Sequence, residues 1–118
     1  MNEILIDTNI MVYCFDRKLD LTNLLDDLFQ SGFRVITLKK CMEELISIKR
    51  IDVNNFFMHY NINVIDFNNN QNTDDTILNF CLDRKCFLFT EDKALLERAK
   101  IKGIKTLSFA GKSLKFNK

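Results

Sequence analysis

Short apolar runs alternate along this chain with stretches whose apolar residues recur at helical spacing. Ile4-Leu5-Ile6 is the first such run, and the stretch from Asp20 to Gln30 places leucines three and four residues apart, which predicts an amphipathic helix. Strands that alternate with helices form a parallel sheet with helices on both faces, because each crossover is right-handed. We therefore predict an α/β fold, a three-layer α/β/α sandwich around a central, mostly parallel sheet of four to five strands.

The individual elements follow from the same pattern. The predicted strands are Glu3–Asp7, Phe33–Thr37, Asn63–Phe67, Cys86–Phe89 and Lys105–Phe109. The predicted helices are Asn9–Phe15, Asp20–Gln30, Leu38–Ile48, Asp52–Tyr60, one that opens at Thr73-Asp74-Asp75, and Asp92–Lys102. The polar segment 68–72 is a predicted loop. Residues 1–109 would form one domain, and residues 110–118 a basic C-terminal tail that is partly frayed.

Size and composition exclude several classes of protein. A chain of 118 residues holds one globular domain. Its longest apolar run, Ile10–Phe15, is far shorter than the roughly 20 residues that cross a bilayer, so we expect no membrane span. The N-terminus lacks the segments of a signal peptide, which predicts a cytoplasmic protein. The three glycines are too far apart for a phosphate-binding loop.

The cysteines and the single histidine argue against a zinc site. Cys14, Cys41, Cys81 and Cys86 contain no Cys-x-x-Cys pair, and His59 lies far from any cysteine pair with metal spacing. We expect four reduced, mostly buried thiols. His59 follows an aromatic stretch on a helix and is more simply a structural or surface residue than a catalytic one.

The net charge of +1 conceals an uneven distribution. Residues 1–83 contain 13 Asp and Glu against 7 Lys and Arg, whereas residues 84–118 contain 3 against 10. A basic segment beside many carboxylates suits a polyanion near a cation site, although solvated lysines are the commoner cause of such a run.

Acidic residues follow three of the predicted strands. Asp7 ends the first, Asp74 opens the helix after the third, and Asp92 follows the fourth. In an open parallel sheet, ligands bind outside the carboxyl ends of the strands. Taken singly, Asp74 and Asp92 are more simply helix caps. If several acids converge at this edge, however, their charges require a cation.

One predicted helix contributes a fourth acid. Glu44 borders the inward stripe formed by Cys41, Leu45 and Ile48 at helical spacing. Glu43 lies instead on a solvated face. Glu44 can therefore reach toward the interior, and we assign Glu43 to the surface.

All the candidate ligands are carboxylates. Hard oxygen ligands without histidine or thiolate indicate Mg²⁺ or Mn²⁺. Asp74 and Asp75 lie about 100° apart around their helix, so only one of them would be a ligand. Ions held in this way can activate a water and stabilise the leaving oxygen in phosphodiester cleavage, which needs no amino-acid nucleophile. The residues alone therefore favour metal-dependent phosphodiester cleavage.

Four motifs in their order along the chain resemble the PIN-domain nucleases, and the resemblance spans Glu3 to about Phe109. The departure is Cys81, in a helix where small alanine-like residues are usual. The matching motifs are Ile4-Leu5-Ile6-Asp7-Thr8-Asn9, Met42-Glu43-Glu44-Leu45, Thr73-Asp74-Asp75-Thr76-Ile77, and Thr90-Glu91-Asp92 followed by Lys93-Ala94-Leu95-Leu96 and Lys102-Gly103-Ile104.

The resemblance implies roles for individual residues. It makes Asp7, Glu44, Asp74 and Asp92 the catalytic, metal-binding acids, with Asp75 as second choice. It also implies a Mg²⁺- or Mn²⁺-dependent ribonuclease that acts on single-stranded or flexible RNA. The residues that would orient the acids or their water shell are Thr8, Asn9 and Thr90.

The leading hypothesis is therefore an endoribonuclease, a hydrolase that uses a metal-activated water. Lys93, Arg98 and Lys112 of the basic third would steer the RNA phosphates. The alternative is a non-catalytic PIN-like module that uses the acidic pocket only to bind RNA or a protein. A toxin inhibited by an antitoxin and an RNA-processing enzyme with a partner protein are both compatible with the chain.

Apolar residues on the early helices also exceed what a small chain easily buries. This excess predicts a homodimer contact, although a phenylalanine-rich core would account for it too. The residues named for such a contact are Met11, Phe15, Leu24 and Phe56.

Overall fold

The computed structural model describes residues 1–67 and 70–117, along which strands and helices alternate. The strands are β1 (Asn2–Ile6), β2 (Phe33–Leu38), β3 (Asn63–Ile65), β4 (Phe87–Phe89), β5 (Thr106–Ala110) and β6 (Ser113–Phe116). The helices are α1 (Thr8–Asp16), α2 (Leu21–Leu28), α3 (Lys39–Ser47), α4 (Ile51–Met58), α5 (Thr73–Arg84) and α6 (Lys93–Ile101). None of these helices is long and apolar enough to cross a membrane. Residues 68 and 69 of the predicted loop and residue 118 of the predicted tail lie outside the described residues.

The six strands form one sheet in the order β3-β2-β1-β4-β5-β6. The first five are parallel, and β6 runs antiparallel to β5. The chain moves outward from β1 through β2 to β3, then returns to β4 and continues to β5. Because crossovers are right-handed, this reversal puts α1 to α4 on one face and α5 and α6 on the other. The predicted three-layer α/β fold is confirmed, and within residues 1–67 and 70–117 the sheet has six strands where four or five were expected.

The first strand forms the centre of the core. Ile4, Leu5 and Ile6 are completely buried between β2 and β4. A parallel strand covered by helices on both faces is apolar at consecutive positions, which explains the unbroken run. Asp7 follows it directly, so this central strand delivers a carboxylate to the carboxyl edge of the sheet.

The C-terminal segment differs from the prediction of a frayed tail. Ser113–Phe116 forms β6 and pairs with β5 along the edge of the sheet. Gly111 turns the chain between the two strands with a φ of +63°, a conformation that favours glycine. Leu114 is buried, and Phe116 packs against Phe29. The alternation of Leu114 and Phe116 with polar neighbours is a strand signal that the basic composition of this segment conceals.

Side-chain burial tests two of the sequence predictions. All four cysteines are free and buried, as expected. The prediction that Met11 belongs to a dimer contact is wrong, because this side chain is completely buried in the core. Phe15 and Leu24 are partly buried against that core, and Phe56 remains 47% exposed. Helix α1 faces the sheet with more of its surface than the sequence pattern indicates.

Candidate active site

The reversal of strand order lies between β1 and β4, which are neighbours in the sheet but continue into helices on opposite faces. Their carboxyl ends are held side by side, because the backbone N–H of Asp7 donates to the carbonyl of Phe89 at 3.1 Å. Helix α1 then begins at Thr8 and helix α6 at Lys93, so the two connections diverge and leave a crevice. Open α/β sheets bind ligands at such a point.

Asp7 is the most buried of the predicted acids, with 6% of its surface exposed. One carboxylate oxygen accepts from the backbone N–H of Thr8 at 2.7 Å, and the other accepts from the hydroxyl of Thr90 at 2.9 Å. Burial raises the pKa of Asp7 to about 6; these hydrogen bonds oppose the rise, and the charges of Glu44 and Asp74 add to it. Among the described residues, no Lys or Arg nitrogen lies within 4 Å of this carboxylate.

Thr90 joins the ends of β1 and β4 through one completely buried hydroxyl. It donates to Asp7, and it accepts from the side-chain amide of Asn9 at 3.2 Å and the backbone N–H of Asp92 at 3.1 Å. A hydroxyl has one donor and two acceptor positions, so these bonds use all three. The Asn9 amide also donates to Asp7 at 3.4 Å, and its oxygen accepts from the backbone N–H of Glu91. This network fixes Asp7 relative to the start of α6.

Asp92 caps α6, as its position in the sequence allowed. Its Oδ1 accepts from the backbone N–H groups of Ala94 and Leu95 at 3.0 and 3.2 Å. A cap of this kind holds the carboxylate in a fixed orientation. A carboxylate has two oxygens, so the same residue can cap the helix and bind a cation.

Asp74 and Glu44 are half-buried around the same crevice. Burial and the charge of Asp92 raise the pKa of Asp74, while Arg98 opposes the rise. The Glu44 carboxylate lies within electrostatic reach of Asp7, because its charge contributes to the raised pKa there. The carboxylate of Asp75 is instead paired with the Arg98 guanidinium.

An open cleft of about 410 Å³ is lined by Asp7, Glu44, Asp74 and Asp92 together. Even so, no three His, Cys, Asp or Glu side chains in residues 1–67 and 70–117 are grouped closely enough to hold a metal ion between them. Mg²⁺ keeps several waters and needs only one or two direct carboxylates. The donor chemistry and the Asp7 charge that lacks a cation therefore fit a hydrated ion rather than a fully protein-ligated one.

Helix α3 follows the predicted periodicity except at its end. Cys41 and Leu45 are buried, Glu43 is exposed and Glu44 is half-buried, as expected. Ile48, which was predicted to face inward, is 50% exposed and lines the rim of the cleft. The helix ends one residue before it, so the helical spacing no longer applies there.

The residues predicted to assist the acids differ in how they contact the acids. Thr8 holds Asp7 through its backbone, and its hydroxyl donates instead to the carbonyl of Cys41 at 3.4 Å, which ties α1 to α3. Lys93 is exposed at the first position of α6, next to the capping acid. Lys112 is exposed in the turn between β5 and β6.

The sequence reasoning missed Tyr13, Asp16 and Arg17, three residues of α1 and its C-terminal cap that line the same cleft. Asn9, Tyr13 and Arg17 are four residues apart, so they lie along one side of the helix. This spacing, which begins in the Asp-Thr-Asn motif, is the signal that could have found Tyr13 and Arg17. His59 is exposed and is not one of the residues that line the cleft.

Solved structures with a similar fold include one of known activity. The chain matches the structure of the PIN domain endonuclease Utp24 with a TM-score of 0.82 and 26% sequence identity, over 98% of this chain and 90% of that one. It also matches a domain of a functionally unknown protein from Methanocaldococcus jannaschii DSM 2661, with a TM-score of 0.65 and 17% identity, over 94% and 93% of the two chains. No family model matches the sequence, and no curated protein matches it either.

Proposed function

Because the fold confirms the resemblance to PIN-domain nucleases, we propose that this chain is a divalent-metal-dependent endoribonuclease. The observation that carries the proposal is the Asp7 carboxylate, which is buried at the reversal of the sheet, faces the charges of Glu44 and Asp74, and has no cationic partner in the described part of the chain. A buried charge of this kind destabilises the fold unless a cation neutralises it.

The proposed ligands are Asp7, Glu44, Asp74 and Asp92, which would hold Mg²⁺ or Mn²⁺ directly or through water. These hard ions prefer carboxylate oxygens. Asp75 is the weaker candidate because Arg98 already occupies its carboxylate. When bound, such an ion would activate a water for attack on a phosphodiester and stabilise the leaving oxygen.

The protein itself contributes a carboxylate that is already oriented. Thr90 and Asn9 donate to one oxygen of Asp7, and the backbone N–H of Thr8 donates to the other. The N-terminus of α6 fixes one oxygen of Asp92 in the same way. Ligands held by such secondary contacts need little rearrangement when a cation binds.

The substrate in this proposal is single-stranded or flexible RNA. Lys93, at the start of α6, and Lys112, in the turn before β6, are exposed cations in the basic third of the chain. The charge of Arg98 opposes the rise in the pKa of Asp74, so a third cation lies near the acidic cleft. These residues would attract the phosphate backbone through contacts that weaken as salt increases.

The decisive experiment compares two isosteric variants on one strand. We expect the parent to cleave an unstructured RNA oligonucleotide in Mn²⁺ or Mg²⁺ but not in EDTA, and Asp7→Asn to be at least about 100-fold slower. Glu3→Gln, at the other end of β1, removes the same charge far from the cleft and should leave the rate unchanged. If Asp7→Asn is folded and cleaves RNA as fast as the parent in Mn²⁺, the proposal is wrong.

A non-catalytic binding module is the second candidate. It is favoured by the absence, among the described residues, of three ligating side chains grouped closely enough to hold an ion. Mn²⁺ binding followed by calorimetry, together with RNA binding and cleavage by the same preparation, separates the two. Ion and RNA binding without cleavage of varied RNAs would favour the module.

We further propose that the protein acts in the cytoplasm, where its four free thiols would stay reduced. A toxin inhibited by an antitoxin and an RNA-processing enzyme share this chemistry, and the identity of the neighbouring gene distinguishes them. Phe56 is the remaining exposed candidate for a homodimer contact. A monomeric mass in light scattering at high concentration would exclude that contact.

A further inference from the structure

Arg17 differs from the other four arginines of the chain, each of which is paired with at least one carboxylate. Those pairs are Arg34 and Arg84 with Glu3, Arg50 with Asp16 and Asp52, and Arg98 with Asp75. Across residues 1–67 and 70–117, no carboxylate lies within 4 Å of the Arg17 guanidinium. Arg17 is nevertheless exposed at the cleft that the four acids line.

The Arg17 guanidinium rests on an aromatic stack that is anchored in the core. Its central carbon lies 3.8 Å from the ring centroid of Tyr13. Tyr13 contacts Phe109 with 4.6 Å between ring centroids, and Phe109 contacts the completely buried Phe89 at 5.3 Å. Cation–π stacking restricts where the guanidinium can lie and leaves the N–H groups at its edge able to donate to an anion.

The position of Arg17 along α1 determines which anion it can meet. Arg17 follows Asn9 on the same side of the helix, about 12 Å further along the axis at a rise of about 1.5 Å per residue. Asn9 itself donates to Asp7. Because Arg17 lines the same cleft as the acids, a strand that is cleaved at the acids can place a neighbouring phosphate against Arg17.

We infer that Arg17 binds a backbone phosphate of the RNA next to the cleavage site, and that Tyr13 is the positioning residue that holds its guanidinium there. The inference rests on the proposed function, because it places RNA in the acid-lined cleft. A guanidinium donates two parallel hydrogen bonds to a phosphate, and an arginine without a carboxylate partner gives up no ion pair when it does so.

The test is binding of a short fluorescent single-stranded RNA, followed by anisotropy at several salt concentrations in Ca²⁺ buffer, with intact RNA verified on a gel. Arg17→Gln should bind about tenfold more weakly than the parent, and the slope of log affinity against log salt should be shallower by about 0.7. The matched control is Arg34→Gln, which removes an exposed arginine at the amino end of the sheet and should change neither quantity.

Tyr13 is tested by rescue and by a double variant. Tyr13→Phe keeps the ring under the guanidinium and should bind RNA like the parent, whereas Tyr13→Leu should lose several-fold in affinity. Tyr13→Leu combined with Arg17→Gln should bind no more weakly than Arg17→Gln alone, because the ring acts through the arginine. Additive losses would overturn the positioning role. Thermal melting identifies any variant that is unfolded. If a Tyr13 variant is unfolded, the comparison of Arg17→Gln with Arg34→Gln still tests the phosphate contact.

Cleavage kinetics separate this inference from the proposed function. If the parent cleaves RNA, Arg17→Gln should raise KM by the same factor as it weakens binding and leave kcat unchanged. If Arg17→Gln matches the parent in RNA affinity, salt slope and KM, the Arg17 inference is overturned while the nuclease proposal stands. The same conclusion follows if Arg17→Gln and Arg34→Gln lose RNA affinity equally. A parent that binds RNA through Arg17 but does not cleave it supports the phosphate contact and overturns the nuclease proposal. A parent that binds no RNA overturns the inference.

Discussion

Glu3 and Asp7 are two carboxylates at opposite ends of β1, and the fold treats them in opposite ways. Glu3 accepts from Arg84 at 3.1 Å with each of its two oxygens, and Arg34 lies 3.6 Å from it. Asp7 is more deeply buried, and its donors within the described part of the chain are neutral: Thr90, Asn9 and the backbone. The amino end of the sheet neutralises its acid with arginines, whereas the carboxyl end orients its acid with neutral donors from the described residues.

This difference indicates which of the two carboxylates destabilises the folded state. A carboxylate beside two guanidinium groups is neutralised by the fold itself. A buried carboxylate beside other acids has a raised pKa, so its charge opposes folding at neutral pH. Buried groups with perturbed pKa values concentrate at functional sites. We therefore expect the carboxyl end of the sheet to be the functional one, and the following predictions test this expectation.

After the loss of activity expected for Asp7→Asn, the largest effect is expected when the polar network at the carboxyl end is removed. Thr90→Val keeps the shape of the side chain but removes the hydroxyl that joins Asp7, Asn9 and Asp92. We expect cleavage in Mn²⁺ to fall by about 10- to 100-fold, as is usual when a group that orients a metal ligand is lost. RNA cleavage rates of the folded variant measure this.

The control for that variant is Thr37→Val. Thr37 is also completely buried, and its hydroxyl donates to the carbonyl of Ile6 at 2.9 Å without being one of the residues that line the cleft. This change should lower the free energy of unfolding by about 1 kcal/mol and leave cleavage unaltered. Equal losses of activity in both variants would mean that Thr90 contributes to general stability and not to the site.

The next effect is a pH dependence of cleavage. A pKa of about 6 means that Asp7 is protonated below that value in the free protein, and a protonated carboxyl is a poor ligand for a cation. We expect the cleavage rate at low Mn²⁺ to fall by about tenfold for each pH unit below about 6, in addition to any dependence on pH that persists above it. Raising the Mn²⁺ concentration should move the midpoint to lower pH, because bound cation competes with the proton. A rate that does not change between pH 5 and 8 would contradict this.

Much of this end of the sheet could be predicted from the sequence. Asp7 and Asp92 directly follow apolar runs, and parallel strands bring their carboxyl ends to one edge, so the strand pattern alone brings the two acids close. The position of Glu44 three residues after the buried Cys41 predicted its depth correctly, although Ile48, the other residue used for that spacing, is exposed. These inferences succeeded because they depend on the two regular periods of the backbone.

Other features could not be predicted because they depend on where an element ends or on contacts between distant segments. Ile48 follows the spacing of α3 but lies beyond its last residue. The β6 strand needs β5 beside it, and its composition is that of a solvated tail. Tyr13 has a detectable spacing on α1, but its packing against Phe109 joins residues that are far apart in the chain. Thr90 was predicted to orient the acids, but its bonds to Asp7 and Asn9 could not be predicted, because these residues are distant from it in the chain.

A smaller effect, on stability, is expected for Asp7→Asn. Asp7 titrates near 6 in the folded chain and near its ordinary value of 3.8 when unfolded, so between these values the folded state binds more protons. Stability therefore decreases as pH rises through this range and stays lower above about 6. Asp7→Asn removes that loss of stability. In EDTA at pH 7.5 we expect its free energy of unfolding to be about 1 to 2 kcal/mol higher than that of the parent.

The gain should be smaller than the full pKa shift implies, because an amide nitrogen cannot accept the hydrogen bond that one carboxylate oxygen accepts. It should also shrink as the pH falls toward about 4, where the parent carboxyl is itself protonated. Urea unfolding at both pH values measures this. A variant that is less stable than the parent at pH 7.5 would show that the Asp7 charge is compensated within the fold.

The smallest effect is expected at the amino end of the sheet. The informative result there is whether the free energy of unfolding rises or falls. Glu3→Gln removes the charge that Arg34 and Arg84 share, and these side chains are 51% and 42% exposed, so solvent screens much of the attraction. We expect a loss of about 0.5 to 1 kcal/mol in the free energy of unfolding, which decreases as salt is added. Asp7→Asn makes the same acid-to-amide change after the other end of β1 and should stabilise the chain instead. If both variants shift stability in the same direction, the two ends of the sheet do not differ in how they treat a buried charge, and the electrostatic argument for the cleft is lost.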